Sequence, residues 1–450
     1  MAQVIKLRKG LNINLEGKAS DQRVAVKPSG EYALVPEDFI GLMPKVVVKE
    51  GDQVKAGDAL FVNKKFPEVA FASPVSGTVT AVVRGERRKL LCVKVKADEK
   101  QSYCDFGVKD PAQLDGEAVV KRLLEGGLFG YIYQLPYAVS TTPDTKPKAI
   151  FVSAFRDMPL SADFDMELQG NEKAFQTGLT ALSRVAKTYL GISKAQSSGA
   201  LASMKNVEVN VFDGPCPAAN VGVQVNHLDP VNKGEVVWTV NPTVVIFIGR
   251  LFDEGKVDLR RTIALAGSEM TNPCYADVMV GQPLRDVLAG HFDGNEHTRL
   301  ISGNPLTGRK CSLDGYVGAL ASEVTAIPEG DDNDEMLGWI MPRFKQFSAN
   351  RSYFSWLFGK KREYALDARV KGGERHMIMS GEYDSVFPMD IYPEYLIKAI
   401  ITGNIDKQEQ LGIYEVAPED FALAEFVDSS KLELQRIVRE GLDLLRKENA

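Results

Sequence analysis

Two glycine-centred turn regions constrain the first hundred residues more than any other feature of the sequence. They are Gly51-Asp-Gln-Val-Lys-Ala-Gly-Asp-Ala-Leu60 and Ala72-Ser-Pro-Val-Ser-Gly-Thr-Val79. Valines alternate with polar residues beside both regions, which is typical of short strands with one buried face. Glycine supplies the tight turns that such strands need. The sequence therefore predicts a small antiparallel β-sandwich near the N-terminus.

The two regions resemble the halves of a lipoyl/biotinyl-type β-sandwich hybrid, which is the fold of carrier domains. A carrier holds its cofactor on a lysine at a hairpin tip. The nearest lysines, in Asn63-Lys-Lys-Phe66, are not followed by the alanine or methionine of carrier signatures, and they lie at the wrong distance from Leu60. The resemblance implies a carrier-like fold over residues 1–100, with an N-terminal arm, and no carrier function.

Bulk properties favour a soluble globular chain of several domains. The chain has 450 residues, of which 44% are hydrophobic and 25% charged, and this length suits about three domains. No apolar run approaches the roughly 18 residues of a membrane span, and the N-terminus lacks the apolar region of a secretory signal. We therefore expect the chain to stay in the cytoplasm and to have no membrane span of its own.

Cysteine and histidine spacing predicts no metal site. The sequence has five cysteines and four histidines, and none of them is spaced like the ligands of a zinc or iron-sulfur site. We interpret the cysteines as reduced thiols. They are Cys92, Cys104, Cys216, Cys274 and Cys311.

A cluster of positive charge beside aromatic residues distinguishes residues 343–375, which we call the basic aromatic segment. The net charge of this segment is +6. The whole chain carries -6, and this negative total disfavours nucleic acid as a partner. Aromatic and basic residues together suit a membrane surface or a partner. A buried aromatic strand or turn with a solvated basic flank is the alternative. The candidate contact residues are Tyr353, Phe354, Trp356, Phe358, Lys360, Lys361 and Arg362.

Strand-like and helix-like patterns alternate between residues 101 and 255. We predict strands at 149–152, 207–212 and 244–248, and helices at 110–124 and 172–190. This order is typical of a Rossmann-like, mostly parallel sheet. Residues 249–257 imitate a phosphate-binding loop, but the glycine spacing is too long and Val257 replaces the Ser/Thr that would hold Mg2+. We interpret them as a strand end and a turn.

Two further units complete the predicted α/β multidomain architecture. Short strands and glycine-rich turns over residues 256–330 suit a β-grasp domain. The polar stretch 329–335 separates it from residues 331–450, which contain the basic aromatic segment and a helical C-terminal domain. The helices there are predicted at 391–403 and 431–448.

Six motifs spread over the chain carry a family resemblance. They are Asp213-Gly-Pro-Cys-Pro-Ala-Ala-Asn220, His227-Leu-Asp-Pro-Val231, Val237-Trp-Thr-Val-Asn241, Arg299-Leu-Ile-Ser-Gly-Asn-Pro-Leu306, Leu337-Gly-Trp-Ile-Met-Pro342 and Pro388-Met-Asp-Ile-Tyr-Pro393. With the order of the units, they resemble the A subunits of the Na+-translocating NADH:quinone oxidoreductase. That family is related to the C subunit of the Rnf complex and to the flavin-binding subunit of respiratory complex I.

The sequence departs from the flavin-binding relatives where they hold cofactors. Their glycine-crowded loop lets backbone approach a phosphate, but here the region reads Glu125-Gly-Gly-Leu-Phe-Gly-Tyr-Ile-Tyr133. Arg156 and Met158 stand where the relatives have glutamates, and no cysteine follows Cys311 to hold an iron-sulfur cluster. The resemblance thus implies that flavins, the iron-sulfur centre and NADH belong to other subunits.

The resemblance implies a peripheral subunit at the cytoplasmic face of the bacterial inner membrane. The expected partners are the membrane subunits of the complex, chiefly the B subunit, and quinone, whose reduction is coupled to Na+ export. No catalytic residue or tightly bound cofactor is expected in this chain. An NADH-oxidising flavin subunit of the Rnf type and a purely structural docking subunit are the alternatives.

Four aromatic residues are candidates for an apolar quinone slot. Phe129, Tyr131 and Tyr133 occupy the region of the lost glycine loop, and Phe39 comes from the carrier-like unit. Ordinary core packing is the alternative interpretation of all four residues.

Overall fold

The computed structural model describes residues 3–294, 296–332, 340–359 and 361–449. Part of the motif at 337–342 and the predicted contact residue Lys360 therefore lie outside the described residues.

The described residues form four β-sheets, whose strands are numbered here in chain order. The strands are β1 Gln3–Lys6, β2 Arg23–Ala25, β3 Glu31–Leu34, β4 Pro44–Val46, β5 Gln53–Val54, β6 Ala59–Asn63, β7 Ala70–Ala72, β8 Gly77–Arg84, β9 Leu90–Ala97, β10 Tyr133–Leu135, β11 Val139–Ser140, β12 Ala149–Ser153, β13 Lys187–Ser193, β14 Glu208–Asp213, β15 Val237–Val240, β16 Arg260–Ala266, β17 Cys274–Met279, β18 Thr298–Ser302, β19 Arg309–Cys311 and β20 Glu323–Pro328.

The α-helices follow the same numbering and are concentrated after residue 115. They are α1 Gly116–Glu125, α2 Phe164–Leu168, α3 Glu172–Val185, α4 Val221–Leu228, α5 Pro242–Glu254, α6 Leu284–Val287, α7 Glu382–Val386, α8 Pro393–Ile401, α9 Ile405–Gln410, α10 Ala422–Val427 and α11 Leu434–Glu448.

The N-terminal unit is the predicted β-sandwich. One sheet has the order β3-β9-β8-β5 and the other has the order β4-β6-β7, and every strand pair in them is antiparallel. Gly51 and Gly57 adopt φ values of 90° and 103°, which only glycine reaches without strain. Phe61 and Phe71, on the neighbouring strands β6 and β7 of the second sheet, stack at a ring distance of 5.1 Å. Lys64 and Lys65 are exposed in the connection between β6 and β7.

A seven-stranded sheet forms the centre of the second unit. Its order is β1-β14-β13-β12-β15-β10-β11; the first five strands are parallel neighbours, and β10 and β11 are antiparallel. Helices α3 and α5 cross at two glycines. A Cβ on Gly178 would lie 2.0 Å from the Val245 oxygen, and one on Gly249 would lie 1.7 Å from the Ala174 oxygen. Only glycine permits this approach of the two backbones.

Three predicted elements of this unit were wrong in type or extent. Residues 244–248, predicted as a strand, lie inside α5, and so do residues 249–254 of the stretch interpreted as a strand end and a turn. Val244 to Ile248 are all buried, and periodicity cannot distinguish a strand from a helix buried on every side. The helix predicted at 172–190 ends at Val185, and β13 follows it. The helix predicted at 110–124 is a short 3-10 turn followed by α1.

The N-terminal arm joins two other sheets. Strand β1 pairs in parallel with β14 of the seven-stranded sheet, and β2 pairs in parallel with β17. The latter belongs to a six-stranded sheet of order β19-β18-β20-β16-β17-β2. The arm therefore ties the N-terminal unit to both following sheets.

The C-terminal helices form a separate core that includes residues of the arm and the seven-stranded sheet. Leu434, Val438, Leu442 and Leu445 of α11 are buried in it, as is Leu7 of the arm. Within the described part of the chain, no helix has both the length and the hydropathy that crossing a membrane requires.

Candidate functional site

The seven-stranded sheet changes winding direction between β12 and β15. From β12 the chain builds β13 and β14 on one side, and it then returns through α4 to place β15 on the other side. The connections diverge at such a point and leave a crevice at the carboxyl ends of the strands, where open α/β sheets usually bind ligands. We call this place the sheet crevice.

Side chains of the protein itself occupy the sheet crevice. The N-terminus of α5 is capped by Asn241, whose side chain accepts a hydrogen bond from the Thr243 amide at 3.0 Å. Glu167 Oε2 accepts a hydrogen bond from Thr243 Oγ1 at 2.8 Å and another from Arg156 Nη2 at 3.3 Å. A carboxylate thus lies where the positive end of the helix would stabilise an external anion.

A second arginine completes this charge cluster, which consists of Arg156, Glu167, Thr243 and Arg261. The Arg261 side chain has 0% exposure, and its Nε lies 3.9 Å from Glu167 Oε1. Its Nη1 donates to the Ala319 carbonyl at 2.9 Å, and burial lowers its pKa. Arg156 lies in the loop after β12, and the other three residues come from α2, α5 and β16. The sequence patterns had singled out only Arg156.

Three of the four predicted quinone residues are buried in the core that joins the N-terminal unit to the seven-stranded sheet, and Tyr133 is half-buried. Phe129 has 0% exposure, Tyr131 1% and Phe39 2%. The rings of Phe39 and Tyr131 are 4.9 Å apart, whereas Phe129 packs against Trp238 at 5.5 Å. Tyr133 Oη donates to the Asp38 carbonyl and accepts from the Ile40 amide, both at 3.0 Å. The structure therefore brings the rings of Phe39 and Tyr131 together. The Tyr133 hydroxyl fixes the backbone on both sides of Phe39.

Tyr131 is the one of these four aromatic residues with an unused polar group. Its hydroxyl is buried without a hydrogen-bond partner among the described residues, and burial raises its pKa, with Asp38 and Arg261 as the nearby charges. Two surface clefts, of about 280 and 180 Å³, are lined by residues 231–233 with 409–415 and by residues 165–172 with 196–201. Neither of these two clefts is lined by the four aromatic residues. Because Phe39, Phe129 and Tyr131 are buried, a quinone would have to open the core to reach them.

Exposed rings dominate the middle of the basic aromatic segment. Residues Phe354–Phe358 form a 3-10 turn, which we call the aromatic turn. Its exposed side chains are Phe354 at 54%, Trp356 at 43%, Leu357 at 60% and Phe358 at 57%. Tyr353, just before it, is half-buried. Most of this apolar surface therefore contacts solvent, contrary to the alternative of a buried aromatic element.

Arginines lie over the rings of the aromatic turn. Arg351 is 5.4 Å from the centroid of Trp356, and Arg362 is 4.6 Å from that of Phe358. Among the described residues, neither arginine nor Lys361 forms a salt bridge. Farther along the segment, by contrast, Asp367 pairs with Arg369 at 2.7 Å and with Lys371 at 2.9 Å. The uncompensated positive charge is therefore concentrated beside the exposed rings.

A buried carboxyl group joins the C-terminal unit to the second unit. Asp420 Oδ1 accepts a hydrogen bond from Asn220 Nδ2 at 3.0 Å, and Oδ2 accepts one from the Ala417 amide at 2.9 Å. A Cβ on Gly222 would lie 2.2 Å from Oδ2. Burial, with the neighbouring Glu419 carboxyl, raises the pKa of Asp420 to about 7.

We expect this group to make stability depend on pH. The pKa of Asp420 in the folded protein, about 7, exceeds the ordinary value of 3.8. The stabilisation of the folded state by the protonated carboxyl is therefore fully present below about pH 4 and is lost as pH rises through about 7. Asp420→Asn should reduce the fall in unfolding free energy between pH 5 and pH 8 by on the order of 3 kcal/mol. Denaturation of both proteins at the two pH values measures this, and equal falls would contradict the assignment.

The described part of the chain contains no group of three or more His, Cys, Asp or Glu side chains that could hold a metal ion. Cys92, Cys216 and Cys274 are buried free thiols, and Cys104 and Cys311 are half-buried ones. The side chains at the sites described above offer apolar packing, a phenol hydroxyl for hydrogen bonding, and arginine and lysine groups that can bind anions.

Distant similarity to solved structures is weak. Two structures of NAD+-reducing [NiFe]-hydrogenase align with TM-scores of 0.38 and 0.34 at 12% and 13% identity. They cover 75% and 48% of this chain, and the aligned parts are 62% and 47% of those chains.

Three domain models and full-length relatives match the chain much more closely. The models are the NqrA N-terminal barrel-sandwich hybrid domain over 5–98, the NqrA second alpha/beta domain over 114–257 and the NQRA C-terminal domain over 262–312. The A subunits of the Na(+)-translocating NADH-quinone reductase from Yersinia pestis bv. Antiqua and from Pasteurella multocida are each 35% identical, and that from Neisseria meningitidis serogroup B is 34% identical. Each alignment covers 99% of this chain and 100% of the relative. The chain therefore belongs to the A subunits of the Na+-translocating NADH-quinone reductase, an oxidoreductase complex.

Proposed function

We propose that this chain attaches to the membrane subunits of its complex, chiefly the B subunit, at the cytoplasmic face of the inner membrane. The aromatic turn and the cations beside it carry this proposal. Its rings and Leu357 are largely exposed, and exposed apolar patches on a folded protein mark interaction surfaces. The predicted contact residues Tyr353, Phe354, Trp356, Phe358, Lys361 and Arg362 belong to this surface; Lys360 lies outside the described residues.

Removing the rings should detach the subunit. We expect the triple variant Phe354→Ser/Trp356→Ser/Phe358→Ser to co-purify with the membrane subunits at less than about a tenth of the wild-type amount. Such a loss corresponds to about 1.4 kcal/mol or more. Val4→Ser/Val108→Ser removes two other exposed apolar side chains and should leave assembly unchanged. Normal recovery of the triple variant would refute this attachment surface.

We propose that the chain holds neither a flavin nor an iron-sulfur cluster, and that NADH, the flavins and the cluster belong to other subunits. The charge cluster supports this, because Glu167 and Arg261 occupy the sheet crevice where a nucleotide phosphate would be stabilised. This occupancy disfavours the alternative of an NADH-oxidising subunit of the Rnf type. Quinone reduction and Na+ export are then activities of the assembled complex.

Quinone binding at Phe39, Phe129, Tyr131 and Tyr133 is our second proposal. It is favoured by one observation, the unpartnered buried hydroxyl of Tyr131, which could donate to a quinone carbonyl in apolar surroundings. Tyr131→Phe should weaken binding of a short-chain quinone about tenfold, measured by quenching of Trp238, which packs on Phe129. Tyr383→Phe removes a distant buried hydroxyl and is the control. Unchanged quenching in Tyr131→Phe would favour a purely structural docking subunit.

We also infer the finer domain assignments. Residues 1–100 form a lipoyl/biotinyl-like domain with an arm, 101–255 a Rossmann-like domain, 256–330 a β-grasp domain and 331–450 the basic aromatic segment with a helical domain. The parallel order β14-β13-β12-β15 and the switch beside β12 support the Rossmann-like assignment. The six-stranded sheet with helix α6 beside it supports the β-grasp assignment.

A further inference from the structure

We infer that the aromatic turn binds an anionic phospholipid surface, so that the lipid beside the membrane subunits is itself a binding partner of this chain. The inference rests on the proposed attachment at the membrane and specifies its chemistry. The rings and Leu357 would enter the boundary between headgroups and acyl chains, and the arginines would remain with the phosphates.

The apolar part of the surface has the size that shallow insertion requires. Five residues in a 3-10 turn extend about 10 Å, and interfacial elements bury their apolar faces about 5–10 Å deep. Phe344 adds a fourth exposed ring, 6.2 Å from Phe354 and 5.9 Å from Phe358. Tryptophan and other aromatic side chains favour the level of the lipid headgroups, because this region contacts both acyl chains and water.

The charged part of the surface fits phosphate. Arg351 and Arg362 lie over the rings with no acidic partner among the described residues, so their N–H groups can donate to phosphate oxygens. Lys345 and Lys361 are exposed in the same stretch, and neither forms a salt bridge with a described residue. Each cation near an anionic leaflet contributes about 1 kcal/mol.

The composition of the turn also suits the lipid beside the membrane subunits. Protein interfaces combine their aromatic anchors with directed hydrogen bonds, about one for each 100–200 Å². In the aromatic turn the only side-chain hydroxyl is that of Ser355, which is buried, and the exposed side chains carry no polar atom except the indole nitrogen of Trp356. The turn therefore presents a hydrocarbon surface with cations at its border. A lipid bilayer matches such a surface, because its acyl chains and anionic headgroups require no fixed hydrogen-bond geometry.

Flotation of the purified full chain with lipid vesicles tests the inference. The vesicles contain phosphatidylcholine alone or phosphatidylcholine with phosphatidylglycerol. We expect binding to the anionic vesicles only, and weaker binding at high salt. Arg351→Gln/Arg362→Gln should lower the partition coefficient about 30-fold, which corresponds to about 2 kcal/mol. Trp356→Ala/Leu357→Ala should also lower it at least tenfold. Lys64→Gln/Lys65→Gln removes the same charge from an exposed turn elsewhere and should bind like the wild type.

The outcomes separate lipid binding from attachment to the complex. The lipid inference is overturned if the wild type does not bind anionic vesicles. It is also overturned if Arg351→Gln/Arg362→Gln and the lysine control lose binding equally. Loss of co-purification by Phe354→Ser/Trp356→Ser/Phe358→Ser would then assign the surface to a protein partner. If the wild type binds anionic vesicles and the arginine variant does not, the inference holds, whatever the triple variant does in assembly.

Discussion

Replacing Glu167 with alanine should lower the free energy of unfolding by about 3–5 kcal/mol. The change removes the carboxylate that accepts a hydrogen bond from Arg156 and that lies 3.9 Å from Arg261 Nε, and it leaves the fully buried Arg261 with only the weaker field of Glu323. Breaking one member of a buried ion pair typically costs this amount, because the remaining charge keeps its desolvation penalty. Urea denaturation followed by the fluorescence of Trp238, in a Trp339→Phe/Trp356→Phe background, measures the effect locally.

An exposed ion pair provides the control for Glu167→Ala. Glu208 pairs with Lys187 at 2.9 Å, but the two side chains are 45% and 55% exposed. Glu208→Ala should therefore cost less than about 1 kcal/mol. If Glu167→Ala cost no more than this control, the charge cluster would not hold the sheet crevice closed.

Replacing Phe129 with aspartate should destabilise the protein by about 5 kcal/mol or more. Phe129 has 0% exposure and packs on Trp238, so the change opens a large cavity in the core and places a carboxylate there. Loss of a buried phenylalanine alone costs about 3–5 kcal/mol, and the unpaired buried charge adds to this cost. Because Phe129 is buried, this substitution tests folding and not quinone binding.

Two control substitutions accompany Phe129→Asp, one at the same position and one on the surface. Phe129→Leu keeps an apolar side chain and should cost less than about 2 kcal/mol. Val108→Asp places the same charge at a position that is 69% exposed and should be close to neutral. A well-folded Phe129→Asp protein with wild-type denaturation would contradict the packing described here.

Local patterns were sufficient for the N-terminal sandwich, because its turns depend on glycines that few other residues can replace. Gly51 and Gly57 adopt the left-handed conformation, and the strands alternate as the valines predicted. The apolar run at 244–248 was misassigned because α5 is buried on all sides, so it lacks the polar face that distinguishes a helix. Asn241 followed by proline was the signal that could have identified the start of this helix.

The sheet crevice could not be predicted, because its residues meet only through tertiary structure. Glu167 lies on α2, Thr243 on α5 and Arg261 on β16, and no spacing along the chain connects them. Arg261 at the beginning of an otherwise apolar strand was the available signal, since an arginine in such a position needs a buried partner. The aromatic turn, by contrast, was apparent from composition alone, although its exposure required the structure.

The absorption spectrum of the purified full chain, recorded before and after incubation with excess flavin mononucleotide and desalting, tests the central claim most directly. That claim is that the protein's own side chains close the sheet crevice, so that this chain carries no redox cofactor. The account predicts a colourless protein that retains no flavin after desalting. A flavin or iron-sulfur band in the purified chain, or one equivalent of retained flavin, would contradict it and would favour an NADH-oxidising role.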